Sequence, residues 1–140
     1  MLTLSRRPDW RPRLAGHITS ARQYAFAWGT HDCAVFAADA VLVMTDVDPI
    51  APWRGRCKDA ASGRRILARG GGLEAMVDKL FADIPVALAQ RGDWLLVPAA
   101  DDSPAGLAVC DGMQAWGYMV GHDALSALPT AIALKAWRIG

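Results

Sequence analysis

The chain has 140 residues, 53% hydrophobic and 21% charged, with fifteen basic residues against fourteen acidic ones. That is the composition of a single globular domain with a real core, and it excludes a disordered or low-complexity chain. A formal charge of +1 gives no sign of a nucleic-acid partner, and no apolar run reaches the ~18 residues that cross a bilayer.

The start, Met1 to Arg7, lacks the apolar stretch of a secretory signal, so synthesis and folding in the cytoplasm are expected. Asp9 is a candidate cap for a first helix over about residues 10–23, with Leu14, Ile18 and Ala21 on one face and His17 placed on the polar side. Tyr24, Phe26 and Trp28 then alternate with alanines as far as Gly29, which fits an extended link or a tight entry into the next helix.

Asp32 is the expected N-cap of that helix. From Cys33 to Met44 it is apolar on nearly every side, with Asp39 its one charge, and such a helix packs centrally. Thr45 to Arg56 reads as loop, carrying Pro49, Pro52 and the run Trp53-Arg54-Gly55-Arg56. Asp59 or Ser62 would cap a further helix that buries Ile66 and Leu67 and ends at Gly70-Gly71-Gly72. Leu73, Met76, Val77 and Leu80 mark a fourth.

After Pro85 the period changes. Strands are expected over Asp93–Pro98, Gly106–Cys110, Ala115–Val120, Leu125–Leu128 and Leu134–Ile139, with Asp111-Gly112 as a hairpin turn. Helices fill the first half and strands the second, so the fold class is α+β in one domain spanning residues 1–140.

A cysteine in the first turn of a capped helix stands where the helix dipole favours a thiolate. Cys33 is therefore the candidate nucleophile, and a small buried hydrophobe is the alternative reading of the same residue. His31 reads as a turn residue, and Gly121-His122-Asp123 as a polar turn from which His122 could approach Cys33 as a weak catalytic candidate. Cys57 and Cys110 read as bystanders. The cysteines and histidines lack ligand-pair spacing, and no metal or other cofactor is expected.

Asp32-Cys33 opening a central helix, and Arg91-Gly92-Asp93-Trp94-Leu95-Leu96 opening a small antiparallel sheet, together resemble the NlpC-type peptidoglycan peptidases, a bacterial papain-like family. The resemblance covers roughly residues 24–122 and implies a papain-like core with the helical half packed on the sheet. In that family a histidine starts the second sheet strand, two residues before its glycine, and a polar residue about twelve further on orients it. Those positions here hold Pro104, with Ala105 beside it, and the neighbourhood of Trp116. Neither a proline nor an indole N–H can accept a proton, so the resemblance implies a degenerate centre.

The succession Phe26-Ala27-Trp28-Gly29, His31-Asp32-Cys33, Phe36-Ala37-Ala38-Asp39, Asp48-Pro49, Arg54-Gly55-Arg56 and Ala136-Trp137-Arg138 is similar, over nearly the whole chain, to an uncharacterised family of small proteins encoded in phage and prophage tail modules. That likeness implies a place in a virion tail, with other tail proteins as partners and peptidoglycan as a further one; the charge balance and the short apolar runs predict no nucleic-acid or membrane partner. Six tryptophans exceed what a core of this size needs, and Trp53 with Arg54 and Arg56 is the weak candidate interface. An active cysteine peptidase or amidase cutting cell-wall peptides is the alternative function.

Overall fold

The computed structural model of the protein describes residues 1–99, 105–119 and 122–140. Four helices come first: α1 (Trp10–Ala21), α2 (Cys33–Thr45), α3 (Ala60–Gly70) and α4 (Leu73–Asp78). Six strands follow: β1 (Asp83–Ile84), β2 (Trp94–Val97), β3 (Gly106–Asp111), β4 (Gln114–Gly117), β5 (Ser126–Pro129) and β6 (Lys135–Trp137). They form one sheet in the order β1-β6-β2-β3-β4-β5, with every pairing antiparallel. The fold is thus α+β, as expected.

The central helix forms where its apolar run predicts it. Asp32 accepts the Val35 N–H at 2.8 Å, and eight of the thirteen residues of α2 are buried. Alanines 37, 38 and 40 are fully buried and leave only a methyl group between the backbone and its neighbours. The Trp94 indole can therefore reach the helix and donate to the Ala37 carbonyl at 3.0 Å. Leu14 and Ile18 of α1, with Phe36, Val41 and Met44 of α2, pack on the sheet face made by Trp94, Leu96, Leu107, Val109 and Trp137.

Trp94 and Trp137 are almost wholly buried. Removing about 200 Å² of each from water stabilises the fold by roughly 5 kcal/mol per ring. Phe81 adds an edge contact to Trp94, with centroids 5.1 Å apart. The Trp137 indole donates to Asp78 at 2.8 Å and Lys135 pairs with Glu74 and Asp78, so α4 is tied to β6.

The opposite sheet face is buried too, but by small residues: Ala108, Cys110, Ala115 and Ala136 join Leu95 and Val97. Ile84, Val86 and Ala89 cover it from one end, and Leu128 and Ala133 from the other, as the short 3-10 turns at 86–88 and 130–132 meet.

One buried carboxylate joins both chain ends to this sheet. Asp93, fully buried, accepts from the Gln90 and Ile139 amides at 2.9 and 3.0 Å and from Arg6 at 3.1 Å. Arg6 also donates to the carbonyls of Ile139 and Arg91, both at 2.7 Å. The turn before Asp93 needs Gly92, with φ at +93°, since a Cβ there would lie 2.8 Å from the Met44 sulfur.

Some expectations are corrected. Asp9 stands before α1 without a side-chain cap, because its carboxylate takes the charged Arg7 donor at 3.2 Å instead. Ile66 and Leu67 are half-buried, since α3 lies at the periphery and none of its residues is fully buried. The third expected strand starts one residue earlier and ends at Gly117, and its expected end at Val120 and Gly121 lies outside the described residues. The two-residue β1 was not expected, and its register comes entirely from β6.

Replacing Asp93 by Ala would leave the Arg6 guanidinium without its counter-ion and two amides without an acceptor. The expected loss is about 3–5 kcal/mol of unfolding free energy, measured by urea titration. A loss below about 1 kcal/mol would refute this account of the tie.

Candidate functional site

The candidate site is built at the start of α2. The backbone reverses between Ala27 and His31, which exchange hydrogen bonds at 3.0 and 2.8 Å. Asp32 holds that turn as well as the helix, accepting the Gly29 N–H at 2.8 Å through its second oxygen. Gly29 has φ at +81°, and a Cβ on it would lie 2.6 Å from the Cys57 carbonyl. The strand of loop before α3 is thereby seated directly on the turn that delivers Cys33.

Cys33 is half-buried. Burial pushes the thiol pKa up, and the Asp32 carboxylate and Cys57 push it further the same way. Backbone hydrogen bonding from Leu107 and Ala34 opposes this without overcoming it. The local balance therefore favours the thiol, although the helix N-terminus by itself favours the thiolate. Cys57 is raised too, chiefly by burial, and its sulfur rests 3.2 Å from where a Gly63 Cβ would be.

The resemblance would place a base at Pro104, beside Ala105, and its orienter near Trp116. Pro104 lies outside the described residues, and Ala105 packs against the core. Trp116 donates its indole N–H to Asp111 at 3.2 Å and carries the Arg22 guanidinium on its ring. His122 is exposed, and its backbone N–H bonds the Met119 carbonyl. Among the described residues, no group of three His, Cys, Asp or Glu side chains converges as metal ligands.

The expected interface residues divide. Arg54 lies against α2, bonding Asp48 at 2.7 and 3.1 Å and Asp39 at 2.9 Å, so it holds the loop on the helix. Trp53 is half-buried and Arg56 exposed. The exposed tryptophan is Trp28, at 42%.

A second cluster was missed by the sequence reading. His17, placed on the polar side of α1, is half-buried: it stacks on Phe36 at 4.9 Å, and its Nε2 lies 3.0 Å from the Phe36 carbonyl. The signal was present in the helical period, because His17 shares the i, i+3, i+4, i+7 face of Leu14, Ile18 and Ala21. His31 stacks on Tyr24 at 4.4 Å, nearly parallel. With Asp39, Ser20, Thr30 and Tyr118 these residues line a cleft of about 130 Å³. The Tyr118 hydroxyl shares its proton between the Ala21 and Tyr24 carbonyls, at 2.9 and 3.1 Å, which closes the end of α1. A larger depression of about 570 Å³ lies open along β4 and β5, and it contains none of the candidate residues.

Residues 5–139 match the model of DUF6950, a domain of unknown function. The chain belongs to this family. No match was found among curated proteins or among solved structures. No described helix is long and apolar enough to cross a membrane.

Two measurements test this geometry. Burial lowers the His17 pKa, against the smaller upward pull of the Phe36 carbonyl and Asp39. Below about pH 6.5 the unfolded chain then takes up this proton before the folded one does, so stability falls as pH falls through that window. His17→Gln is expected to flatten that part of the stability profile, and an unchanged slope would overturn the assignment. For Cys33, iodoacetamide at pH 7.5 is expected to label the folded protein at least about tenfold more slowly than the urea-unfolded chain. Faster labelling in the folded state would mean an activated thiolate.

Proposed function

We propose that the chain is a structural component of the tail of a phage or phage-like particle, in the tail-tip or hub region. Its core would be NlpC-type and papain-like, with a peptidase centre that has lost its chemistry. The cysteine stands where that family places its nucleophile, at the start of a central helix whose residues pack on β3. Asp93 opens the first long strand, as a Gly-Asp pair does in that family. What carries the degenerate reading is the environment of the Cys33 thiol. It is partly buried, and among the described residues the ionisable groups that bear on it are Asp32 and Cys57, both of which disfavour a thiolate.

A papain-like step needs an imidazole to take the thiol proton and a polar group to orient that imidazole. A protein without them retains the fold's binding surfaces, so its work in the tail is to dock to other tail proteins, with peptidoglycan as a further contact.

The test compares particles carrying wild-type protein and Cys33→Ser. The expected result is an equal titre, with no release of muropeptides from purified peptidoglycan by the wild-type protein. Muropeptide release that disappears in Cys33→Ser would establish the cysteine peptidase or amidase instead. Particles complete without this protein would remove the structural role.

A further inference from the structure

The net charge of +1 conceals a strongly divided chain. Residues 54–69 hold six of the fifteen basic residues and one of the fourteen acidic ones, so this stretch carries +5 and the remainder −4. Its single acid, Asp59, is committed to capping α3: it accepts the Ser62 N–H at 2.8 Å, while the Ser62 hydroxyl accepts the Asp59 N–H at 3.1 Å. Arg54 is committed to Asp48 and Asp39. The other five cations, Arg56, Lys58, Arg64, Arg65 and Arg69, are exposed and have no ion-pair partner among the described residues.

Their placement follows from the helix. At 100° per residue, Arg64, Arg65 and Arg69 share an outward arc with Ala61 and Ala68, while Gly63, Ile66 and Leu67 turn inward and are half-buried. The outward arc therefore holds guanidinium groups separated only by methyl groups. The Trp28 ring lies on the other side of the helix, 3.8 Å from where a Cβ on the inward-turned Gly63 would be, so the outward arc presents cations without an aromatic neighbour. Arginine is among the residue types that carry most binding energy at protein interfaces. Guanidinium forks also recognise carboxylates in pairs of hydrogen bonds.

We propose that this face, the outward side of α3 with Arg56 and Lys58 before it, docks a short acidic segment of a partner protein. The charge division favours a short segment over a long polyanion. Eleven residues of α3 span about 16 Å, and a nucleic-acid strand running beyond them would pass over a body of charge −4 within reach of a ~8 Å screening length. The inference deepens the docking reading above and rests on it only in taking the chain to work by binding another protein.

The test uses the full chain and a fluorescein-labelled synthetic decapeptide of alternating Glu and Ser, followed by fluorescence anisotropy. Arg64→Gln/Arg65→Gln removes two charges from the face and keeps residues that favour helix. Arg11→Gln/Arg22→Gln removes two from α1 and serves as the control, with melting curves confirming that both fold. The expected result is binding by wild type that weakens from 50 to 300 mM salt, falls at least about tenfold in the first variant and changes less than about twofold in the control. The proposal is overturned by absence of peptide binding at 50 mM salt or by equal losses in the two variants. Tighter binding of a twenty-nucleotide oligothymidine, or of vesicles containing phosphatidylserine, than of the peptide would overturn it as well. These outcomes are independent of particle titre, so failure of the tail reading and failure of this one are told apart.

Discussion

A carboxylate with no access to water must be matched on all sides, and Asp93 is matched by groups drawn from the whole length of the chain. Arg6 supplies the charge, Ile139 and Gln90 supply amides, and Arg138 lies 3.7 Å from the second oxygen. The cost of burying this ion is met only when the N-terminal arm, the turn before β2 and the end of β6 are all in position. Arg6 is itself strained electrostatically, since burial and the nearby Arg138 and Arg11 charges pull its pKa down while Asp93 holds it up. The Trp94 bond to the Ala37 carbonyl lies one residue away, so the same corner fixes the distance between the sheet and α2.

That corner sets what the start of α2 can do. Cys33, the first residue of that helix, is half-buried, and burial together with Asp32 and Cys57 pushes its thiol pKa up. A cysteine held as the thiol is a poor nucleophile unless an imidazole takes its proton. The two imidazoles that are drawn together, His17 and His31, line a different cleft along α1 with aromatic rings. Among the described residues, the cysteine at the start of α2 and the two imidazoles thus occupy separate surroundings.

Much of this was legible in the residues. The Asp32 cap followed by an apolar run specified α2, and turn residues between short apolar runs specified β2 to β6 to within a few positions, because these signals are local. Asp59 and Ser62 were both named as caps and act jointly. What local signals could not carry was partnership across the chain. Arg54 looked free because its partners Asp48 and Asp39 are recognised only once the loop folds back on α2. Trp53 looked more exposed than Trp28 for the same reason. His17 is a different case, since its helical face was readable and was outweighed by the polarity of its side chain. The charge division was also present in the sequence, hidden by reading a net value for the whole chain.

The position of β6 bears on how the molecule is made. This strand, the last in sequence order among the described residues, sits between β1 and β2 rather than at the sheet's margin. While a nascent chain emerges from the ribosome, β2 can pair with β3, but its other edge stays open and β1 has nothing to join. Leu95 and Leu96 would meanwhile border an unpaired, apolar strand edge, the kind of surface that seeks other chains. Closure of the sheet therefore waits for residues 135–137, which pair with β1 on one side and β2 on the other.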